Sequence, residues 1–210
     1  MEITVIGASK GTGSYVVTRA ARDKHAVRGL SRSGSLSSVS GVKPIRGDAL
    51  DQAVVRRAVA KADAVVVTIG APARDTSGLR ARATATIIDA MRRENVRRLI
   101  VQSSMGVDDS APQLNWITKH IVVPLFLKGA FADHLEQEHL VRASGLDWTI
   151  VRPGYLKDKP GTGRYEVGFT DMDKNLTGSV TRADLADFIV RSLDDESTYR
   201  RAITISAVRS

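Results

Sequence analysis

The sequence contains no cysteine, which excludes disulfides, thiolate metal sites and cysteine nucleophiles. Aromatic residues make up only 5% of its 210 residues. The apolar run from Ile121 to Leu127 is interrupted by Pro124 and is far too short to span a bilayer. No basic, apolar leader precedes the first apolar run. We therefore expect a cytoplasmic location and no membrane partner.

The charge balance is basic, with a formal net charge of +8 at pH 7, so a nucleic-acid partner has to be considered. The arginines are scattered, however, and several between Arg80 and Arg98 have the spacing of a helix surface. We find no basic tail and no basic stripe interleaved with aromatic residues. The pattern favours a solvated basic surface that attracts anionic cofactors over a nucleic-acid groove.

Apolar runs and helical periods alternate along the chain. Strands are predicted at 3–7, 26–30, 43–47, 64–69, 98–102, 148–151 and 202–206, and helices at 13–22, 50–62, 79–94, 131–143 and from 181 onward. The continuously apolar run 64–69 is typical of a central parallel strand. The fold class is therefore predicted as α/β, a Rossmann-type doubly wound parallel sheet with helices on both faces, formed by one domain over 1–210.

Two segments, 105–128 and 155–180, interrupt this alternation. Both follow the carboxyl ends of predicted strands, where open α/β sheets bind their ligands, so we expect them to face the substrate. A hairpin is predicted at 164–169. At the end of the second segment, Thr181 and Asp184 have the spacing of a capping box, with Thr181 as the N-cap.

A glycine-rich turn joins the first strand to the first helix. Gly7, Gly11 and Gly13, with Ser9 and Thr12 between them, stand where a dinucleotide site needs a tight turn, close backbone approach to a phosphate and a helix N-terminus. The spacing is G-x-x-x-G-x-G rather than G-x-G-x-x-G. An ordinary strand-to-helix turn is the alternative.

The end of the second strand favours NADP(H) over NAD(H). An NAD site needs a carboxylate there, and residues 26–33 contain none. Arg32, flanked by Ser31 and Ser33, suits a 2′-phosphate, and Lys10 adds a second positive charge. The alternative is that both cations are merely exposed.

Four further residues are assigned to the cofactor. Asp48, followed by Ala49, is placed to meet the adenine amino group, although it is also a candidate N-cap for the next helix. Gly70 and Ala71 follow the fourth strand, where small residues let the backbone pass close to a ribose.

Four fragments resemble the short-chain dehydrogenase/reductase superfamily, and within it the atypical NAD(P)-binding branch of NmrA-like proteins and the biliverdin reductase B or flavin reductase group. They are the glycine loop and residues 100–104, 138–154 and 179–186. The third, which includes LVRASGLDWTIVRPG, is the most specific. The atypical branch usually has glycine at the position of Lys10. The lysine here is similar to the main branch of the superfamily, where a basic residue at this position accompanies a preference for NADP.

The resemblance implies hydride transfer between a nicotinamide and a bound substrate. Ser104 matches the serine at the end of the fifth strand that contacts a reacting carbonyl or the nicotinamide, and Ser103 is assigned to the cofactor. The main branch also needs a Tyr-x-x-x-Lys pair on the next helix, and 131–143 has neither residue. Asp133 and His134 match a pair in the flavin reductase-like branch. His134 is expected to bind a carboxylate or relay a proton, or else is a surface residue.

Tyr155 and Lys159 have the Tyr-x-x-x-Lys spacing, but they follow the sixth strand in a loop with Pro160, so we interpret the match as chance. Tyr155 is instead expected to contact the acceptor.

A planar acceptor does not need a tyrosine acid, because solvent can supply the proton. The expected function is NADPH-dependent reduction of a flavin, quinone or tetrapyrrole, with flavin a substrate rather than a bound cofactor. The acceptor is expected beneath Trp116, Phe126 and Tyr155, with Pro153 and Gly154 shaping the nicotinamide pocket. Trp116 and Phe126 are alternatively core residues.

The competing hypothesis is an NmrA-type redox sensor with little catalysis. Under either hypothesis we expect no metal, a small-molecule ligand and a monomer or homodimer.

Overall fold

The fold was analysed in a computed structural model that describes residues 1–36, 40–72 and 75–209. The strands of the main sheet are β1 (Glu2–Ile6), β2 (Ala26–Ser31), β3 (Val42–Arg46), β4 (Ala64–Val67), β5 (Arg98–Gln102), β6 (Asp147–Pro153), β8 (Tyr165–Val167) and β10 (Arg201–Ala207). A separate pair is formed by β7 (Tyr155–Lys157) and β9 (Ser179–Thr181). The α-helices are α1 (Gly11–Arg22), α2 (Gln52–Val59), α3 (Leu79–Arg93), α4 (Lys128–Arg142) and α5 (Arg182–Arg191).

The main sheet has eight strands in the order β3-β2-β1-β4-β5-β6-β10-β8. All neighbours pair in parallel except β10 and β8, which are antiparallel. The order reverses at β1, where the chain leaves one half of the sheet for the other. The predicted Rossmann fold is confirmed, and its ligand crevice is expected beside β1 and β4.

Two apolar layers cover the two faces of the sheet. Val16 and Val17 of α1 pack with Leu185 and Ile189 of α5 on one face. The side chains that α2, α3 and α4 bury on the other face include Val55, Ile87, Met91 and Val141. Strand β4 contributes to both layers and is fully buried along its length, which explains why its sequence is continuously apolar.

The two irregular segments contain more structure than the sequence predicts. The segment 105–128 holds a 3₁₀-helix at Asp108–Gln113 and a π-helix at Thr118–Leu127, which runs directly into α4. The predicted hairpin at 164–169 is wrong, because Tyr165–Val167 pairs with β10 instead. No helix among the described residues is both long and apolar enough to cross a membrane.

Helix α5 begins with half of the predicted capping box. The Thr181 hydroxyl accepts a hydrogen bond from the Asp184 backbone N–H at 3.0 Å, which confirms the N-cap. The buried Asp184 carboxylate accepts from the backbone N–H groups of Thr162 and Gly163 at 2.9 and 2.8 Å, and from the Thr181 hydroxyl. It therefore fixes the loop between β7 and β8.

Arg98, the first residue of β5, is a buried cation that joins the carboxyl-terminal part of the chain to the sheet. Its guanidinium donates to the carbonyls of Leu193, Ser192 and Asp147 and lies 4.2 Å from the Tyr199 ring centroid. Burial lowers the pKa of Arg98 to about 10, so the group remains charged at neutral pH. These carbonyls depend on Arg98 for their hydrogen bonds.

We predict that Arg98→Ala lowers the free energy of unfolding by roughly 2–4 kcal/mol, because it leaves buried carbonyl groups without a donor. Denaturant titration measures the change. The matched control is Arg97→Ala, which removes a side chain that is 61% exposed and pairs with Asp147 at the surface. That variant is expected to lose less than about 1 kcal/mol. Equal losses in the two variants would contradict the assignment.

Candidate functional site

A cleft of about 490 Å³ opens at the carboxyl ends of β1, β4, β5 and β6. This is the crevice at the point where the strand order reverses. It is lined by most of the residues predicted from the sequence, namely Gly7, Ser9, Lys10, Gly11, Thr12, Arg32, Asp48, Ala49, Gly70, Ser103, Ser104, His134, Pro153 and Gly154. Its volume is in the range of small-molecule and cofactor pockets.

The glycine loop is packed against the end of β4. Gly7 has a φ of +90°, and a Cβ there would lie 2.7 Å from the carbonyl oxygen of Thr68. A Cβ on Gly13 would lie 2.2 Å from the carbonyl oxygen of Gly7. Gly13 does not line the cleft. Gly13 therefore lets α1 pack closely against the sheet, and it does not offer a surface to a ligand in the cleft.

The first turn of α1 presents N–H groups and positive charge to the cleft. Its N-cap residue is Lys10, whose side chain makes no capping hydrogen bond, and the turn contains no acidic residue. By contrast, Asp51 caps α2 and Thr181 caps α5. A helix N-terminus without a side-chain cap is suited to a phosphate, because its N–H groups remain available as donors.

The two cations predicted to select NADP both line this end of the cleft. Within the described ranges, neither the Lys10 ammonium nor the Arg32 guanidinium makes a hydrogen bond or an ion pair, and both residues are exposed. Ser33 lies outside the lining, and its hydroxyl accepts from the backbone N–H of Ser35 at 3.2 Å. Arg32 and Lys10 are therefore two cations that are available to an anionic ligand here.

Of the residues assigned to the adenine and the ribose, Asp48 lines the cleft and Ala71 does not. The Asp48 carboxylate accepts from the backbone N–H of Leu50 at 2.9 Å. The helix after it is capped by Asp51, so the interpretation of Asp48 as N-cap is wrong. The Ala71 carbonyl instead accepts a hydrogen bond from the Arg80 guanidinium at 3.2 Å.

Asp133 has a structural part in place of the catalytic one expected from its position. It lies on α4 but caps α3, with its carboxylate accepting from the backbone N–H groups of Arg80 and Ala81 at 3.0 and 2.9 Å. It also pairs with the Arg80 guanidinium at 3.1 Å. Asp133 is buried and does not line the cleft. Helix α3 needs this cap because its own N-cap residue is Gly78.

His134 lines the cleft as a neutral imidazole. Burial and then the charge of Arg80 lower its pKa to about 4, and its Nδ1 lies 3.1 Å from the Gln137 amide oxygen. The expected roles as a cation for a carboxylate and as a proton relay near neutral pH do not fit a group with this pKa. The interpretation of His134 as a surface residue is also wrong, since only 9% of it is exposed.

The two serines after β5 differ in their surroundings. The Ser103 hydroxyl donates to the buried carboxylate of Glu138 at 2.6 Å, and Glu138 forms a two-point ion pair with Arg152 at 2.9 and 2.6 Å. Burial by itself lowers the pKa of Arg152, but the hydrogen bonds and charge of Glu138 raise it above its ordinary value. Among the described residues, the Ser104 hydroxyl makes only a 3.2 Å contact, with the Met105 carbonyl. Ser104 therefore has the freer hydroxyl toward a ligand.

Several cleft residues were missed by the sequence analysis. Thr68, Gln102, Arg80 and Arg182 line the cleft. Among the described side chains, Gln102 Oε1 is one of the few buried polar atoms without a hydrogen-bond partner. Position at the carboxyl end of a predicted strand was the only available signal for Thr68 and Gln102. Nothing in the sequence places the two arginines here.

The three residues predicted to cover the acceptor do not line the cleft. Trp116, Phe126 and Tyr155 are 67%, 52% and 75% exposed. The alternative that Trp116 and Phe126 are core residues is wrong, because more than half of each side chain is exposed. Their contact with an acceptor stays a prediction.

We predict that His134 makes the protein less stable in acid. The pKa of the imidazole is about 4 in the folded state and about 6.5 in the unfolded state. As the pH falls below 6.5, the unfolded chain therefore binds a proton before the folded chain does. The free energy of unfolding should fall by roughly 2–3 kcal/mol between these values through this group. His134→Gln should remove that part of the pH dependence, measured by denaturant titration across the range. His139→Gln is the control, since that side chain is 57% exposed. An unchanged profile for His134→Gln would refute the buried, neutral imidazole.

Solved structures with the same fold cover nearly the whole chain. The oxidoreductase ylbE from Lactococcus lactis has a TM-score of 0.83 at 17% identity and covers 99% of this chain and 91% of its own. ChuY, an anaerobillin reductase from Escherichia coli O157:H7, has a TM-score of 0.77 at 24% identity. The match covers 98% of this chain and 96% of ChuY. At these identities the likeness shows the fold.

Sequence comparison adds a curated relative and a family. The Bacillus subtilis protein named uncharacterized sugar epimerase YhfK is 30% identical over 122 residues, 58% of this chain and 50% of that protein. The match thus spans about half the length of that relative. Residues 7–196 match the model of the family described as NAD(P)H-binding. The chain therefore belongs to this NAD(P)H-binding family, in agreement with the cleft at the end of its glycine loop.

Proposed function

We propose that the protein is an NADPH-dependent reductase that transfers hydride to a flavin, quinone or tetrapyrrole-like acceptor. The observation that carries the proposal is the division of the cleft into two chemically different ends. Lys10 and Arg32 follow β1 and β2, whereas Ser104 and Pro153 lie at the ends of β5 and β6, beyond β4 in the strand order. The neutral His134 lies on α4, which packs against β6. A dianionic group fits the first end and an uncharged ring fits the second.

The residues of the glycine loop fit a dinucleotide. Gly7 and Gly11, with φ of +90° and +55°, let the backbone turn beneath a pyrophosphate, and α1 offers N–H groups without a side-chain cap. In this proposal Arg32 and Lys10 bind a 2′-phosphate, which distinguishes NADPH from NADH. Asp48 accepts a hydrogen bond from the adenine amino group.

At the other end, the chain positions the acceptor. The nicotinamide supplies a hydride, which carries two electrons, and solvent supplies the proton that the reduced acceptor takes up. Pro153 and Gly154 form the wall of the nicotinamide pocket, and Ser104 donates a hydrogen bond to the acceptor or to the nicotinamide amide. Holding two planar rings in contact is then the main catalytic contribution. The anaerobillin reductase activity of ChuY, which shares the fold, supports a planar acceptor of this kind.

The second candidate is a redox sensor that binds the cofactor and catalyses little. It is favoured by the state of the two α4 residues that were expected to act in proton transfer, since Asp133 caps α3 and His134, which lines the cleft, is neutral. Both candidates need the same cofactor site. They differ in whether an acceptor is turned over.

We predict that Arg32→Ala weakens NADPH binding by about 1–3 kcal/mol and leaves NADH binding unchanged, because the lost charge-assisted contact is made only to the 2′-phosphate. Nicotinamide fluorescence titration measures both affinities. Arg57→Ala, which removes an exposed arginine from α2, is the matched control. Equal or tighter binding of NADH by the unmodified protein would overturn the NADP preference.

We predict that the protein oxidises NADPH in the presence of FMN, a quinone or biliverdin. Ser104→Ala should lower the rate by about tenfold with little change in NADPH affinity, as expected for the loss of one hydrogen bond at the reacting end. Absorbance of NADPH measures the rates. The control is Ser35→Ala, which removes the hydroxyl of an exposed serine. Absence of turnover with every acceptor, together with tight NADPH binding, would favour the sensor.

A further inference from the structure

Arg182 is a cation in the cleft that the sequence analysis did not assign. It is the first residue of α5, directly after the N-cap Thr181, and its side chain lines the cleft beside the glycine loop. A Cβ built on Gly11 would lie 3.7 Å from the Nε atom of Arg182. The guanidinium therefore stands next to the first residue of α1, whose first turn carries no acid and no side-chain cap.

The partner of Arg182 in this structure is a weak one. Its Nη1 lies 2.8 Å from the carboxylate of Asp158, in the loop between β7 and β8, and the Asp158 side chain is 72% exposed. The Arg182 side chain is 23% exposed. An ion pair whose carboxylate is this exposed to solvent contributes little free energy. By comparison, the buried pairs Arg80–Asp133 and Arg152–Glu138 have both side chains less than a tenth exposed, and those carboxylates bind further donors. Arg182 is thus the cleft arginine whose partner is most easily exchanged.

The loop that carries Asp158 has an independent attachment. Thr162 and Gly163 are held by the buried Asp184 carboxylate at 2.9 and 2.8 Å. The loop therefore does not need the Arg182–Asp158 pair to stay on α5. A stronger anion beside Gly11 can take the guanidinium without undoing the fold around it.

We propose that Arg182 is a cofactor-binding residue that exchanges Asp158 for the pyrophosphate of the dinucleotide. The guanidinium approaches the pyrophosphate from α5, while the N–H groups of α1 approach it from the other side. Two negative charges on the pyrophosphate compete with the single exposed carboxylate of Asp158. The inference rests on the dinucleotide binding that the proposed function assumes. It adds a contact common to NADPH and NADH, whereas Arg32 contacts only the 2′-phosphate.

The pattern across two nucleotides and three variants tests the proposal. NADPH and NADH are titrated by nicotinamide fluorescence against the unmodified protein, Arg182→Gln, Asp158→Asn and the control Arg191→Gln. Arg191 lies at the other end of α5, where its 68% exposed side chain pairs with Asp187. We expect Arg182→Gln to weaken both nucleotides by about tenfold and to the same extent. Asp158→Asn should tighten both by about two- to threefold, because it removes the competing anion. Arg191→Gln should change neither.

Three outcomes would overturn the inference. They are unchanged affinity in Arg182→Gln, a loss confined to NADPH, or weaker binding in Asp158→Asn. A loss confined to NADPH would move Arg182 to the 2′-phosphate. Thermal unfolding of each variant checks that it is folded, and Asp158→Asn tests the exchange even where Arg182→Gln is unstable. Failure of the unmodified protein to bind either nucleotide would instead refute the proposed function, so the two failures are distinguishable.

Discussion

Helix α1 and the ends of β1 and β4 approach one another so closely that two positions admit only glycine. The carbonyl of Thr68 occupies the space that a Cβ on Gly7 would need, and the carbonyl of Gly7 occupies that of a Cβ on Gly13. Thr68 ties the two strands together, with its N–H and its hydroxyl both donating to the carbonyl of Ile6. This close contact sets the position of α1 against the sheet. In that position the first N–H groups of α1 point into the cleft.

Buried ion pairs fix the remaining walls of the cleft relative to this contact. Asp133 joins α4 to the start of α3, and Glu138 joins α4 to β6 through Arg152 and to β5 through Ser103. Each carboxylate satisfies several donors, as burial of a charge requires. Helix α4 is therefore bound to α3, β5 and β6 by two carboxylates, and the sequence had suggested a catalytic role for one of them, Asp133. The cost of this arrangement is that few titratable groups remain for proton transfer.

The charges that remain available are concentrated where the dinucleotide is expected. Lys10, Arg32 and Arg182 line the cleft and are exposed or hold only a solvent-accessible partner, whereas Arg80 in its wall is buried against Asp133. The end of the cleft that is proposed for the acceptor is lined by hydroxyls, a neutral imidazole and Pro153. The basic net charge of the chain thus includes three cations that line one cleft, beside the glycine loop and the end of β2.

The sequence by itself determined the alternation of strands and helices, the glycine turn and the residues that end each parallel strand. Those signals are local, because periodicity and turn chemistry act over a few residues, and they were enough to predict the Rossmann fold and most of the cleft lining. Only the tertiary structure decided what the polar side chains do. Asp133 caps another helix, His134 is buried beside Arg80, and Arg182 meets the glycine loop across more than half the chain. Burial and long-range pairing set these roles, and no spacing along the chain records them.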